Sequence, residues 1–204
     1  MKRRALPDLG RAARQQRDDR IFVIATEDTY APKQYFEALS LPRIRVLVLE
    51  TQDHDSAPAQ VVERLIDAHR NARIHEKVQE GDEFWILIDS DHHFQPNHCA
   101  GTVRALDAAR QSGFGTAVSN PCFEVWLLLH LVPLSSADIF SSPSAVEAQL
   151  RAQLGSYNKI RLPVAYFQLS RLPDAIHRAR LLETAPDEPR GYEPKNPGTR
   201  VYRI

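Results

Sequence analysis

With 204 residues and 26 basic against 26 acidic side chains, the chain can bury one sizeable core and carries no net charge, so any polyanion must be held by a local basic patch and not by a global field. Its apolar fraction of 43% is that of an ordinary globular protein, and no run reaches the roughly 20 apolar residues that a membrane span needs. Cys99 and Cys122 stand far apart, outside any Cys-x-x-Cys pattern, which argues against a disulfide framework or a zinc ribbon.

Residues 1–20 form a basic leader in which Lys2, Arg3, Arg4, Arg11, Arg14, Arg17 and Arg20 face Asp8, Asp18 and Asp19. It has no apolar h-region, so it does not read as a secretory signal and cytoplasmic residence is expected. Two readings stay open for it, a solvated leader or an arm that touches phosphates of a nucleic acid.

The periodic part begins at Ile21. Ile21–Thr26 is a β-rich run, and Pro32–Leu39 places Tyr35, Phe36 and Leu39 on one helical face. Ile44–Leu49 predicts a second strand, and residues 59–73 predict an amphipathic helix with Val61, Val62, Leu65 and Ile66 on its apolar side. Phe84–Ile88 is a third strand, followed by a helix over residues 97–111 that Ser112-Gly113 can end. Gly115–Ser119 is a fourth strand. The oily stretch Cys122–Val132 then predicts a helix capped by Ser119 or Asn120 with Pro121 in its first position. This βαβαβαβα alternation argues for an α/β fold with a mainly parallel sheet flanked by helices, spanning residues 21–132. Beyond Pro133 the pattern predicts helices only, at Ser144–Leu154 and Leu172–Leu182, so residues 133–204 read as a helical extension packed on that core.

Two of the strand-like runs end in carboxylates. Phe84–Ile88 leads into Asp89-Ser90-Asp91, and Ile21–Thr26 leads into Glu27. If both runs are buried parallel strands, Glu27, Asp89 and Asp91 converge at the sheet's C-terminal edge, where open α/β sheets bind ligands. Nearby carboxylates repel one another unless protons or a cation neutralise them, and hard oxygen donors suit Mg²⁺ or Mn²⁺. The plainer alternative is that the aspartates end the strand and cap the next helix. His92, His93, His98 and Cys99 follow at a spacing that matches no strong zinc or iron template, although His93 is placed to donate a proton. Glu124 and His130 lie among apolar residues on the oily helix. Glu124 is either a first-turn charge on the helix dipole or, together with Asn120, an added ligand for the carboxylate site. Cys122, with no base beside it in sequence, reads as packing.

These segments together resemble the RloB-like family of bacterial defence-associated proteins, whose core is a Toprim-type fold. The resemblance is carried by Ile21–Glu27 with Tyr35–Leu39, by Ile88–His93, by Ser119–His130 and by Asn196–Tyr202, so it covers nearly everything after the leader. It implies that Glu27, Asp89 and Asp91 hold Mg²⁺ or Mn²⁺ for cutting or joining phosphodiesters. The family usually follows its first-strand Glu with Gly and a Glu-Lys-Thr-Glu-like segment. Here Asp28-Thr29-Tyr30-Ala31-Pro32 follows, with Asp28 available as a further carboxylate.

The expected function is a metal-dependent nuclease effector of an anti-phage, abortive-infection system, acting on RNA (tRNA included) or DNA. Glu27 is then the general base, and Asp89, Asp91 and Glu124 complete the catalytic set, with Asp28, His93, Asn120 and His130 as accessories. The competing expectation is a non-catalytic Toprim-like effector or sensor that works through a partner such as a defence ATPase. A phosphohydrolase with Asp89 as nucleophile is a third reading, weakened by the late position of Asp89 in the chain. No membrane partner is expected, and homo-oligomerisation stays open.

Overall fold

The computed structural model describes residues 18–28, 30–51, 56–71, 78–183 and 191–204. The leader candidates Lys2, Arg3, Arg4, Arg11 and Arg14 lie outside the described residues.

The predicted alternation is present. Strands β1 (Arg20–Thr26), β2 (Ile44–Leu49), β3 (Glu83–Asp89) and β4 (Gly115–Asn120) are linked by helices α1 (Ala31–Ala38), α2 (Pro58–Arg70) and α3 (Cys99–Gln111). After β4 come α4 (Glu124–Leu129), α5 (Pro143–Leu154), α6 (Leu172–Leu182) and a short strand β5 (Gly198–Thr199). The sheet order is β2-β1-β3-β4-β5, parallel except for β5, which gives the Toprim-like α/β fold that the sequence predicts.

Burial follows the period-2 rule of a two-sided sheet. Val23, Ala25, Ile86, Ile88 and Val118 point to one face and pack with Val61, Val62 and Leu65 of α2 and Ala105, Leu106 and Ala109 of α3. Ile24, Leu87 and Ala117 point to the other, against α1, α4, α5 and α6. Helix α4 is apolar all round because it is enclosed: Val125 to Leu129 are each at most 1% exposed. Trp85 lies over Gly115 in register, where a side chain's Cβ would stand 2.4 Å from the indole, so only glycine fits.

Two local expectations are corrected. The oily helix starts at Glu124, not at Pro121, whose carbonyl is engaged by the Asp91 N–H at 3.1 Å. Helices alone beyond Pro133 is also incomplete. Gly198 and Thr199 add an antiparallel edge strand to β4, with the Ser119 and Thr199 hydroxyls 2.7 Å apart.

The order 2-1-3-4 has one consequence for chemistry. Strand β1 connects outward to β2 on one side and pairs with β3 on the other, so the strand order reverses between the C-terminal ends of β1 and β3. Loops diverge at such a point and leave a crevice. Glu27 directly follows β1, and Asp89 ends β3.

Candidate metal centre

The edge is fastened from below before any carboxylate is placed. Thr51 Oγ1 donates to the carbonyls of Thr26 (2.7 Å) and Glu27 (2.8 Å), and Arg64 donates to the carbonyls of Glu50 (2.9 Å) and Thr26 (3.2 Å). The backbone carrying Glu27 is therefore held from β2 and from α2. On the other side, Ser90 N–H donates to Ser119 O at 2.7 Å, which continues the β3–β4 ladder one residue beyond the strand.

Glu27 crosses the gap between the two strand ends. Its Oε1 accepts from the Asp89 backbone N–H at 2.5 Å, and its Oε2 lies 2.5 Å from His93 Nε2. Both oxygens are thereby oriented. His93 is itself fixed from behind, because Thr102 Oγ1 donates to its carbonyl at 2.8 Å. Burial works against a charged His93 imidazole, yet the hydrogen bond and charge of Glu27, with the charge of Asp91, outweigh it and raise its pKa.

Asp89 is the most perturbed carboxyl. Burial first, then the charges of Glu27, Glu124, Asp28 and Asp91, push its pKa well above the carboxylate range. No described residue donates a hydrogen bond to it. Glu124 is 4% exposed, and burial and the charge of Asp28 raise its carboxyl, against the opposing hydrogen bonds of Cys122 and Tyr157. Tyr157 Oη donates to Glu124 Oε1 at 2.9 Å. Thus Glu124 is no free first-turn charge; it faces Asp89 and is held by a phenol from 33 residues further along the chain.

Asp91 leans to the side. Its Oδ1 lies 2.5 Å from His92 Nδ1 and also accepts from the His92 backbone N–H. With His92 and His93 it makes the one trio among the described residues whose ligand atoms all lie within 4.8 Å of one another. Glu27, Asp89 and Asp91 therefore share an edge without sharing so tight a cluster. Asp28 accepts from Tyr30 N–H at 2.6 Å, while its other oxygen lies 3.7 Å from Lys159 Nζ.

Two accessory expectations are corrected. Asn120 turns its amide to Glu193 Oε1 (3.1 Å) and Pro194 O (2.9 Å), fastening the chain before β5, and contributes nothing to the carboxylate group. His130 sits one helix length away in the core, 3.1 Å from Tyr35 Oη and edge-on to Trp126 and Phe167. Burial, with the charges of Arg171 and Arg178, lowers its pKa to about 4. Cys122 is buried packing, and burial with the charges of Glu124 and Asp89 keeps its thiol protonated.

The model of the RloB-like protein family matches residues 22–204. The chain belongs to that family. Nothing among curated proteins or solved structures matches it. No helix among the described residues is long and apolar enough to cross a membrane.

In this RloB-like chain Tyr157 and Lys159 carry no signal in the sequence. Both lie in the segment between α5 and the next turn of 3₁₀ helix, which has no hydrophobic period. A Tyr-x-Lys pair in a loop means nothing until the loop is seen to cross to α1. Gln34 brings it there: its Nε2 donates to Lys159 O at 2.9 Å, and its Oε1 accepts from Leu162 N–H at 2.9 Å.

Does this donor set suit Mg²⁺ or Mn²⁺? Such ions need only one or two carboxylates, keep several waters, and take their remaining oxygens from a phosphate substrate. A carboxylate without a hydrogen-bond donor among the described residues, repelled by four others, is the chemistry a hard cation relieves. Asp89 fits that description; Glu27, its oxygens engaged by the Asp89 N–H and by His93, stands beside it, with Asp91 at the rim.

Proposed function

We propose that this RloB-like protein is a metal-dependent nuclease of an anti-phage defence system, cleaving phosphodiesters of RNA, tRNA among them, or of DNA. The observation that carries the reading is the placement of Glu27 and Asp89 at the ends of β1 and β3, where the strand order reverses, with the Asp89 carboxylate left without a donor among the described residues. Asp89 and Glu27 would hold Mg²⁺ or Mn²⁺. Bound there, the ion supplies Lewis-acid stabilisation of charge on the phosphate and an acidified water.

The chain's own residues then have distinct tasks. Glu27, oriented by the Asp89 N–H and by His93, accepts the proton of the attacking water. His93, paired with Glu27 Oε2, keeps that side chain turned into the site. Glu124, held by Tyr157, adds negative charge behind Asp89 and so favours a cation over an empty site. Positioning dominates this kind of catalysis, since little covalent work falls to the protein.

A second reading has an observation of its own. Both Glu27 oxygens are engaged, as expected of a structural carboxylate in a non-catalytic effector acting through a partner such as a defence ATPase. One experiment separates the two. Purified protein is incubated with tRNA, mRNA, single-stranded DNA and duplex DNA pools in Mg²⁺, in Mn²⁺ and in EDTA. The nuclease reading expects cleavage of at least one pool that EDTA abolishes. Asp89→Asn should lose both metal affinity and cleavage, whereas Glu27→Gln should lose turnover by about 100-fold or more and keep much of its substrate binding. Intact phage protection by both variants, with the partner genes present, would replace this reading with the partner-binding one.

A further inference from the structure

The cations around the carboxylate edge are not equivalent. Lys33, two residues into α1, is paired with Glu50 at the end of β2. Arg64 is bonded to backbone carbonyls beneath the edge, and the His93 imidazole is taken by Glu27. Lys159 differs from these in two respects. Its ammonium lies 3.7 Å from Asp28 Oδ2, beyond hydrogen-bond distance, and its side chain remains 49% exposed. Its backbone, by contrast, is fixed. Gln34 holds Lys159 O and Leu162 N–H, Asn158 Oδ1 accepts from Ile160 N–H at 2.9 Å, and Tyr157 anchors the loop to Glu124 inside the site. A firm stem with a loosely paired, solvent-facing head is what a residue needs if it is to exchange an internal partner for an incoming anion.

The electrostatics agree with the geometry. Burial opposes the charge of Lys159, but Asp28, Glu124, Glu147 and Asp89 overcome it and keep the amine protonated. The same head thus responds to two of the carboxylates at the centre of the site.

We propose that Lys159 is the substrate-contacting cation of this centre, releasing Asp28 to bind a non-bridging oxygen of the nucleic-acid phosphate. This rests on the nuclease reading for the identity of the ligand, a phosphodiester. It assigns the C-terminal segment a direct part in binding, and it explains why Glu27, Asp28, Asp89 and Glu124 do not repel a polyanion outright: a monovalent cation on a tether stands beside the divalent site.

Two readouts move in opposite directions under this proposal. Removing the ammonium takes away a phosphate partner and also a positive charge that competes with the metal. Lys159→Ala and Lys159→Gln should therefore weaken binding of a 2′-O-methyl RNA oligonucleotide, measured in Ca²⁺, by about tenfold. The slope of log affinity against log salt should fall by about 0.7, one phosphate contact on a single strand. In the same variants Mn²⁺ affinity, measured by calorimetry without nucleic acid, should be unchanged or tighter. Lys159→Arg should restore oligonucleotide binding to within about threefold. Arg161→Ala, which removes an exposed charge two residues along the same loop, controls for net charge and should leave the slope nearly intact.

Parental oligonucleotide affinity and slope in Lys159→Ala would overturn the proposal, and so would a fall in Mn²⁺ affinity, which would make Lys159 a prop for the carboxylates. The nuclease reading fails separately. If the parent cleaves no pool and yet loses oligonucleotide affinity on Lys159→Ala, the contact stands and catalysis does not. If the parent cleaves and Lys159→Ala leaves both KM and affinity unchanged, catalysis stands and the contact does not.

Discussion

His130 shows how one residue's role depends on partners that the sequence does not display. It lies six residues after Glu124 in the same oily stretch, where the sequence offers Glu124 a first-turn or ligand role and His130 only an accessory one. In the fold they sit at opposite ends of α4. Glu124 bonds Tyr157 and lies within the electrostatic reach of Asp89, whereas His130 meets Tyr35 and the rings of Trp126 and Phe167. A histidine with its pKa lowered to about 4, against 6.5 when unfolded, leaves a thermodynamic signature. The folded state binds fewer protons than the unfolded chain between those values, so stability is fully present above pH 6.5 and is lost as the pH falls towards about 4, by on the order of 3 kcal/mol. His130→Gln, which keeps a polar neighbour for Tyr35 and cannot titrate, should flatten that limb in chemical denaturation at pH 7, 6, 5 and 4.5. If the parent and variant lose stability in parallel over this range, His130 is not buried as described. The carboxylates were legible earlier because their signal is local: an apolar run that stops at an acid needs no distant partner to be noticed. What could not be read was which of them would be left without donors, since that depends on Asp91 turning to His92 and Glu27 turning to His93.

At the level of elements, strand and helix positions followed from periodicity because burial on two faces demands it. Ile44–Leu49 and Leu172–Leu182 occur at the expected bounds, and α1, α2 and α3 fall within a few residues of theirs. The misses share one cause. β5 is two residues long, too short for any period, and is defined by pairing with a strand 80 residues earlier. The 155–162 loop is likewise defined by Gln34, over 120 residues away in sequence. Gln34 also donates to Tyr30 O at 3.0 Å, so one side chain ties the start of α1, the loop and the Tyr157–Glu124 contact into a unit. Gln34→Ala should cost about 1 kcal/mol, the net worth of such bonds, since Tyr30 O keeps the Gln34 N–H and water can reach Lys159 O. More specifically, it should open the bonds after Lys159 and Arg161 to limited trypsin digestion that the parent resists, with Glu124 no longer screened by the Tyr157 phenol. Unchanged protection of that loop would mean that Tyr157 alone holds it and that Gln34 is incidental.

Across the whole molecule the balance of charge is deceptive. The chain is neutral, but Glu27, Asp28, Asp89, Asp91 and Glu124 gather at one edge, and the excess basic charge that offsets them is concentrated in the leader. On the proposed nuclease reading, a polyanionic substrate approaching that edge would meet repulsion that a divalent ion and Lys159 would offset only locally, because charges separated by more than about 8–10 Å are screened at physiological salt. Longer-range attraction has to come from elsewhere on the chain. Residues 1–17 hold six basic side chains, Lys2, Arg3, Arg4, Arg11, Arg14 and Arg17, against one acidic, Asp8. If they act as an arm on the phosphate backbone, each contact adds about 0.7–0.9 to the salt slope, so removing the segment should flatten the slope by several and weaken nucleic-acid binding at least tenfold at low salt. The cost should appear in the association rate more than in turnover, since electrostatic steering acts before the substrate is seated. Every strand and helix among the described residues begins at Arg20 or later, so the deletion should leave thermal stability unchanged. Equal affinity, salt slope and association rate in the shortened protein would show the leader to be inert, and would leave attraction for phosphate to groups beyond residue 17.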